Sequence, residues 1–269
     1  MKLSELYERL GLATYTKEIN DQLIDQFFKK INDKNKQDFI NKLNMFVMSP
    51  VYSKFVKNVG FEKVLGVNCQ SKNIPNICNA YFSATDESPL YGYVMIHTSN
   101  SCLEFKELDS IVESTPIQKL NTPQFIRTKL LPYFSYITSS FIHELTHYEQ
   151  NQKSNGGYYD SYTEKVKDDL ERKLADGIAD LDYYASPQEI DAFSVGEVSY
   201  FIGKIQDFPK SKQLDMLEDF KQKIPSIVKN GYISDEDTKS HELGVKIRER
   251  YIKKIYKGID QYIDKITNR

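Results

Sequence analysis

Apolar residues spaced three and four positions apart predict helices at both ends of the chain. Two such stripes lie before about residue 60, and a third runs through residues 247–266. Side chains with this spacing share one face of an α-helix. We expect the stripes to pack into the core, and the last one is also a candidate partner-binding helix. They comprise Ile19, Leu23, Ile24, Phe27, Phe28 and Ile31; Phe39, Ile40, Leu43, Phe46 and Val47; and Ile247, Tyr251, Ile255, Ile259, Tyr262, Ile263 and Ile266.

The segment from about residue 61 to residue 108 carries the pattern of β-strands. Residues 81–84 and 91–97 form two short runs on either side of a turn-like segment, residues 86–89, which contains a proline. Residues 103–105 are a candidate third strand. The pattern predicts a small antiparallel sheet.

From about residue 121 the pattern is helical again. No glycine or proline occurs between residues 133 and 152, which predicts one long helix there. Further helices are expected at residues 163–185, 187–206, 212–229 and 235–267. The predicted fold class is α+β and predominantly helical. We divide the chain into an N-terminal helical segment (1–60), a core (61–210) and a C-terminal helical segment (211–269) of one continuous globular unit.

Composition narrows the classes of function. Of the 269 residues 40% are apolar, enough for a hydrophobic core, and a net charge of −2 supplies no basic field to recruit nucleic acid. The charged, amphipathic start predicts no signal peptide, and no run of 18 apolar residues predicts a membrane span. Three cysteines without a Cys-x-x-Cys pair fit a reducing compartment. We expect a cytoplasmic protein that binds neither nucleic acid nor membranes; its oligomeric state stays open.

Residues 143–147 read His-Glu-Leu-Thr-His, the His-Glu-x-x-His pattern with which a helix binds catalytic zinc. Residues four apart share a helix face, so His143 and His147 can reach one metal ion. Glu144 lies beside them, where it can take a proton from water whose pKa zinc lowers to about 7. The competing interpretation is a pair of helix histidines in ordinary packing.

Catalytic zinc usually takes three protein ligands, and the chain offers one good candidate for the third. Ser186 is a predicted N-cap, followed by Pro187 at the first helical position and Glu189 at the third. Ala192 is small enough to let two helices approach closely. Glu189 is either a ligand or a capping-box carboxylate, because one side chain cannot serve both roles at once.

Residues 142–194 resemble the gluzincin-type zinc metallopeptidases, in which His-Glu-x-x-His precedes a helix that carries Glu-x-Asp/Glu-Ala. They are most similar to the small intracellular and phage-borne, ImmA-like members, whose second motif reads Tyr-Tyr-x-x-Pro-x-Glu-Ile-Glu-Ala. The present chain reads Tyr-Tyr-Ala-Ser-Pro-Gln-Glu-Ile-Asp-Ala at residues 183–192. It departs from that pattern at Asp191, and it lacks the Asn-Glu-x-x-x-Asp form of thermolysin-like enzymes.

The resemblance implies a zincin-like core with a small antiparallel sheet and helical additions at both termini. It makes His143, His147 and Glu189 zinc ligands and Glu144 the general base. Asp191 becomes a partner of the ligands or the alternative ligand. At about 100° per residue, Glu189 and Asp191 point to nearly opposite sides of their helix, so they cannot both face the metal as equal ligands.

The polar loop at residues 154–162 follows the motif helix and contains two glycines and three tyrosines. It is a candidate mobile lid, in which Tyr158, Tyr159 or Tyr162 could stabilise the oxyanion of a tetrahedral intermediate. The simpler interpretation is a connecting loop, because tyrosine is abundant in this chain, with 19 residues.

The motifs together predict a zinc metalloendopeptidase that hydrolyses intracellular protein or peptide substrates, with Zn²⁺ as cofactor and Glu144 as general base. One alternative is a non-catalytic binding or assembly protein that retains a structural zinc helix. Another is a protease whose target is one specific regulator. Glu144 favours an enzyme over the structural alternative, because a structural zinc site has no need of a general base.

Overall fold

The computed structural model describes four parts of the chain. They are residues 16–17, 19–21, 24–25, 36 and 39; the strand residues 64–71, 79–85 and 88–98; residues 110–153; and residues 186–231, 233 and 242–268. For the strands the description is limited to the backbone.

Helices dominate the described residues. In chain order they are α1 (Ile117–Leu120), α2 (Pro123–Phe125), a π-helical turn (Ile126–Leu130), α3 (Leu131–Lys153), α4 (Pro187–Ile205), α5 (Lys210–Gly231) and α6 (Glu242–Thr267). The π-helical turn ends two residues before Pro132, whose missing N–H interrupts regular α-helical bonding. Within the part of the chain that is described, no helix has the length and apolar character needed to cross a membrane.

These helices confirm four predictions from the sequence. The long uninterrupted helix is α3, and the helices expected at residues 187–206, 212–229 and 235–267 are α4, α5 and α6. Their ends differ from the prediction by up to two residues, and residues 235–241 lie outside the described residues. The described residues of the two N-terminal stripes are helical and buried, namely Ile19, Ile24 and Phe39. The expected strand at residues 103–105, the loop at 154–162 and the helix at 163–185 lie outside the described residues. The domain boundaries stay a prediction.

The first four residues of the C-terminal stripe pack into the core, as predicted, whereas Tyr262, Ile263 and Ile266 are only half-buried. Ile247, Tyr251, Ile255 and Ile259 recur every four residues on α6, and each is at most 1% exposed. This face of α6 contacts both α4 and α5. Burial of so many large side chains at regular spacing supplies much of the stability of the helical part.

A hydroxyl group of α6 replaces a backbone hydrogen bond that is missing in α5. Pro225 lies inside α5 and has no N–H to donate to the carbonyl of Lys221, four residues earlier. The Tyr256 hydroxyl donates a hydrogen bond to that carbonyl at 2.9 Å. The carbonyl is therefore satisfied despite the proline, and α5 is held against α6.

Helices α3 and α4, which carry the candidate ligands, pack against each other. They run antiparallel, so that the start of one faces the end of the other. Small residues line the contact on α4 at positions 192, 196, 199 and 203, which share one helix face. The facing pairs are Ser135 with Gly203, Ser139 with Gly196, and His147 with Glu189.

A buried polar network fixes the register of this pair against the N-terminal helical residues. Asn20 is fully buried, and its amide donates to Ser135 Oγ at 3.2 Å and to Gln206 Oε1 at 3.1 Å. The Thr138 hydroxyl donates to Asn20 Oδ1 at 2.7 Å. Because every polar atom of the Asn20 amide has a partner, any shift of one helix along another would leave buried groups unsatisfied.

The sheet is mixed, with one parallel and one antiparallel pair of strands, whereas the prediction was an antiparallel sheet. Strands β1 (Val64–Ser71), β2 (Asn79–Thr85) and β3 (Ser88–Thr98) pair in the order β1-β3-β2, and β2 and β3 contact α3. β2 and β3 are antiparallel, since only two residues separate them, but β1 pairs in parallel with β3. The physical reason is connectivity: alternation within a strand does not encode the direction of its neighbour, which depends on how the chain crosses over.

The prediction of a zincin-like core with a small antiparallel sheet is therefore wrong. Its other part, the predominantly helical character, is confirmed: helices hold nearly all residues whose side chains are described, and none of those residues lies in a strand.

The close approach of α3 and α4 predicts opposite effects for two glycines of α4. A Cβ atom on Gly203 would lie 2.6 Å from Ser135 Oγ, 2.7 Å from Asn20 Nδ2 and 2.9 Å from Ser135 Cβ. Gly203→Ala should therefore lower the free energy of unfolding by about 1–3 kcal/mol. Gly196→Ala is the matched control, because its Cβ would meet its nearest neighbours at 3.4 and 3.6 Å.

Both glycines lie inside the same helix, so alanine brings each the same gain in helix propensity, about 1 kcal/mol. Urea unfolding of the two variants and the wild type measures the difference. Equal stabilisation by both substitutions would show that α3 and α4 do not approach as closely at residue 203 as described.

Candidate metal centre

Helix α3 brings three residues of the His-Glu-x-x-His motif to one buried place. His143, Glu144 and His147 are 8%, 4% and 6% exposed, although each has a polar side chain. One candidate ligand atom from each lies within 4.8 Å of the others, so the group could hold a metal ion. Buried groups of this kind need partners or a bound ion to offset their lost hydration.

Helix α4 brings a second carboxylate to the same place. Ser186 caps α4 as predicted, and its Oγ accepts a hydrogen bond from the backbone N–H of Glu189 at 3.1 Å. The Glu189 side chain is 5% exposed, and its Oε2 lies 3.3 Å from His147 Nε2 and 3.6 Å from His143 Nε2. Within the described residues this oxygen receives no hydrogen bond of good geometry.

Three donor atoms thus form a compact triangle. His143 Nε2 and His147 Nε2 are 3.1 Å apart, and Glu189 Oε2 lies 3.3 and 3.6 Å from them. Zinc binds such nitrogen and oxygen ligands at about 2.0–2.1 Å, which places neighbouring corners of a tetrahedron about 3.3 Å apart. The donor types, their spacing and the unsatisfied Glu189 oxygen therefore fit a small divalent metal ion.

The pKa values of the two imidazoles are shifted in opposite directions. Burial, assisted by the proximity of His147, places the pKa of His143 well below its usual value. Burial also lowers the pKa of His147, but the carboxylates of Glu189 and Glu144 and the hydrogen bond to Gln150 together raise it by more, so the net shift is upward.

Of the other predicted site residues, the structure describes Asp191 alone. Asp191 is on another side of α4, where its carboxylate forms an ion pair with Lys254 of α6. The structure thus does not bring Asp191 to the donor triangle. Tyr158, Tyr159 and Tyr162 lie outside the described residues, and their role stays a prediction.

Three contacts at the site were not predicted from the sequence. The Gln150 side chain bonds to His147, the backbone of Ala192 bonds to His143, and the Phe193 ring packs against the His143 ring with centroids 4.3 Å apart. Helical spacing contained a signal for two of them. Gln150 follows His147 by three residues and Phe193 follows Glu189 by four, so each shares a helix face with a candidate ligand.

Comparison of the chain with protein-family models, with curated proteins and with solved structures gave no match. Membership of the gluzincin-type metallopeptidases therefore stays a prediction that rests on the resemblance of residues 142–194.

The geometry predicts that two neighbouring carboxylates of α4 differ in their effect on metal binding. Glu189→Gln should weaken Zn²⁺ binding by more than about a hundredfold, beyond the range usual for groups that only support a ligand. Asp191→Asn makes the same change of carboxylate to amide two residues away, and it should weaken Zn²⁺ binding by less than about tenfold. Competition with a chromophoric chelator measures both. Loss of metal by Asp191→Asn, with wild-type affinity in Glu189→Gln, would reverse the assignment.

Proposed function

We propose that this protein is a zinc-dependent metallopeptidase in which His143, His147 and Glu189 hold the metal ion and Glu144 acts as general base. The observation that carries the proposal is the convergence of two imidazole nitrogens and one carboxylate oxygen, from two helices, at separations of 3.1–3.6 Å in a buried place.

The donor set favours zinc over other common cations. Two imidazoles and one carboxylate make a three-ligand site of the kind used for catalytic zinc, whereas calcium and magnesium prefer oxygen ligands throughout. When bound in such a site, zinc supplies Lewis acidity that polarises a carbonyl group and lowers the pKa of water.

Glu144 is placed for proton transfer. Its side chain is buried, and Oε1 lies 3.8 Å from His143 Nε2, beside the donor triangle. From this position the carboxylate can take a proton from an attacking water and pass it to the departing amine. A purely structural metal site would account for the three ligands but gives no reason for a second buried carboxylate next to them.

The choice of peptide bonds as substrate rests on the resemblance of residues 142–194 to metallopeptidases. A carbonyl that must be polarised, a water that must be deprotonated and an amine that must be protonated are the requirements of amide hydrolysis, and the proposed roles meet each of them. We propose protein or peptide substrates inside the cell.

Metal content tests the ligand assignment. The protein purified from zinc-supplemented medium should hold about one zinc ion per chain, and His143→Ala should abolish this stoichiometry. His241→Ala removes an imidazole outside the motif and serves as the control. Elemental analysis that finds no bound transition metal in the wild type would end the proposal.

Activity tests the role of Glu144. Glu144→Gln should retain the bound zinc but lose peptide hydrolysis by at least about a hundredfold, because it removes the proton acceptor and keeps the size of the side chain. Glu218→Gln changes an exposed glutamate of α5 and should leave activity unchanged. New termini generated in a proteome-derived peptide library, identified by mass spectrometry, provide the assay. Equal cleavage by Glu144→Gln and wild type would exclude this role.

A further inference from the structure

We infer that Gln150 is a positioning residue, which sets the tautomer of His147 so that its Nε2 lone pair is available to the metal. This inference rests on the proposed function. It starts from two hydrogen bonds of one side chain: Gln150 Oε1 lies 3.0 Å from His147 Nδ1, and Gln150 Nε2 lies 3.2 Å from the backbone oxygen of Gln188.

The backbone contact determines which way the Gln150 amide faces. The carbonyl oxygen of Gln188 can only accept a hydrogen bond, so the group that meets it must be the NH₂ of Gln150. The opposite orientation of the amide would place two oxygens against each other. The Gln150 oxygen is therefore the atom that faces His147.

The amide orientation in turn determines the tautomer of His147. Because Gln150 Oε1 can only accept, the hydrogen of the bond must come from His147 Nδ1. A neutral imidazole with its hydrogen on Nδ1 carries its lone pair on Nε2. That nitrogen lies 3.3 Å from Glu189 Oε2 and 3.1 Å from His143 Nε2, inside the donor triangle.

Helix α4 therefore orients both imidazoles as well as providing Glu189. His147 is connected through Gln150 to Gln188, the residue directly before Glu189, and His143 hydrogen-bonds to the backbone of Ala192. Partners of this kind, which bind the other ring nitrogen of a metal-ligating histidine, typically account for a ten- to hundredfold difference in metal affinity, roughly.

The competing role for Gln150 is that of a tether between α3 and α4, with no effect on the imidazole. Two substitutions separate the roles. Gln150→Glu keeps an acceptor for His147 Nδ1–H but has no N–H for the Gln188 carbonyl. Gln150→Met has about the same length and loses both hydrogen bonds. If Gln150 positions the imidazole, only Gln150→Met should bind zinc more weakly than wild type. If Gln150 is only a tether, both variants should bind zinc more weakly.

Zinc affinity, measured with Zn²⁺ alone against a competing chelator, is the first readout. Gln150→Met should bind zinc about ten- to a hundredfold more weakly than wild type, and Gln150→Glu should recover most of that loss. Thermal unfolding of the metal-free variants checks that both fold. Wild-type affinity in Gln150→Met, or equal losses in both variants, would overturn the inference.

The second readout does not require metal. Nitrogen NMR of the metal-free protein, at alkaline pH where the imidazoles are neutral, reports which ring nitrogen of His147 carries hydrogen. The hydrogen should reside on Nδ1 in wild type and in Gln150→Glu, and should shift toward Nε2 in Gln150→Met. A tautomer unchanged by Gln150→Met would refute the positioning role. A wild type that binds no zinc would instead refute the proposed function, so the two failures are distinguishable.

Discussion

The candidate metal centre depends on how closely α3 and α4 approach each other. Glycine at positions 196 and 203 of α4 leaves no side chain between the helices, and at residue 203 even a methyl group would overlap Ser135. A short separation is what allows the Glu189 carboxylate to reach within 3.6 Å of imidazoles on the other helix. Larger residues on this face would hold the two helices farther apart. The Glu189 carboxylate would then not reach the imidazoles.

Close packing also removes the polar side chains of the site from water. Two imidazoles and two carboxylates are nearly removed from water, and each buried charge costs several kcal/mol, roughly, unless it is paired. One oxygen of Glu189 receives no good hydrogen bond among the described residues. A divalent cation bound by the three donors would satisfy that oxygen and both imidazole nitrogens at once, which is why the burial favours a metal site over ordinary packing of histidines.

The local features of the structure could be predicted from the sequence, and the long-range ones could not. The Ser186 cap, the start of α4 and the uninterrupted α3 follow from propensities that act within a few residues, so they could be predicted. The parallel pairing of β1 with β3 depends on the path of the chain between strands, which no local pattern encodes. At the site, helical periodicity already separated Glu189 from Asp191, but it gave no distance between the two helices and no partner for Asp191, since Lys254 lies 63 positions later in the chain.

The Asn20 network connects residues far from the candidate centre to its geometry. Asn20 bonds to Ser135 and Thr138 on α3 and to Gln206 just after α4, so it fixes the position of one helix along the other. The distance between His147 and Glu189 depends on that same register, because an α-helix rises about 1.5 Å per residue and a shift of one residue would exceed the tolerance of a metal–ligand bond. A fully satisfied buried amide at one end of the helix pair therefore protects the alignment of the donor atoms at the other end.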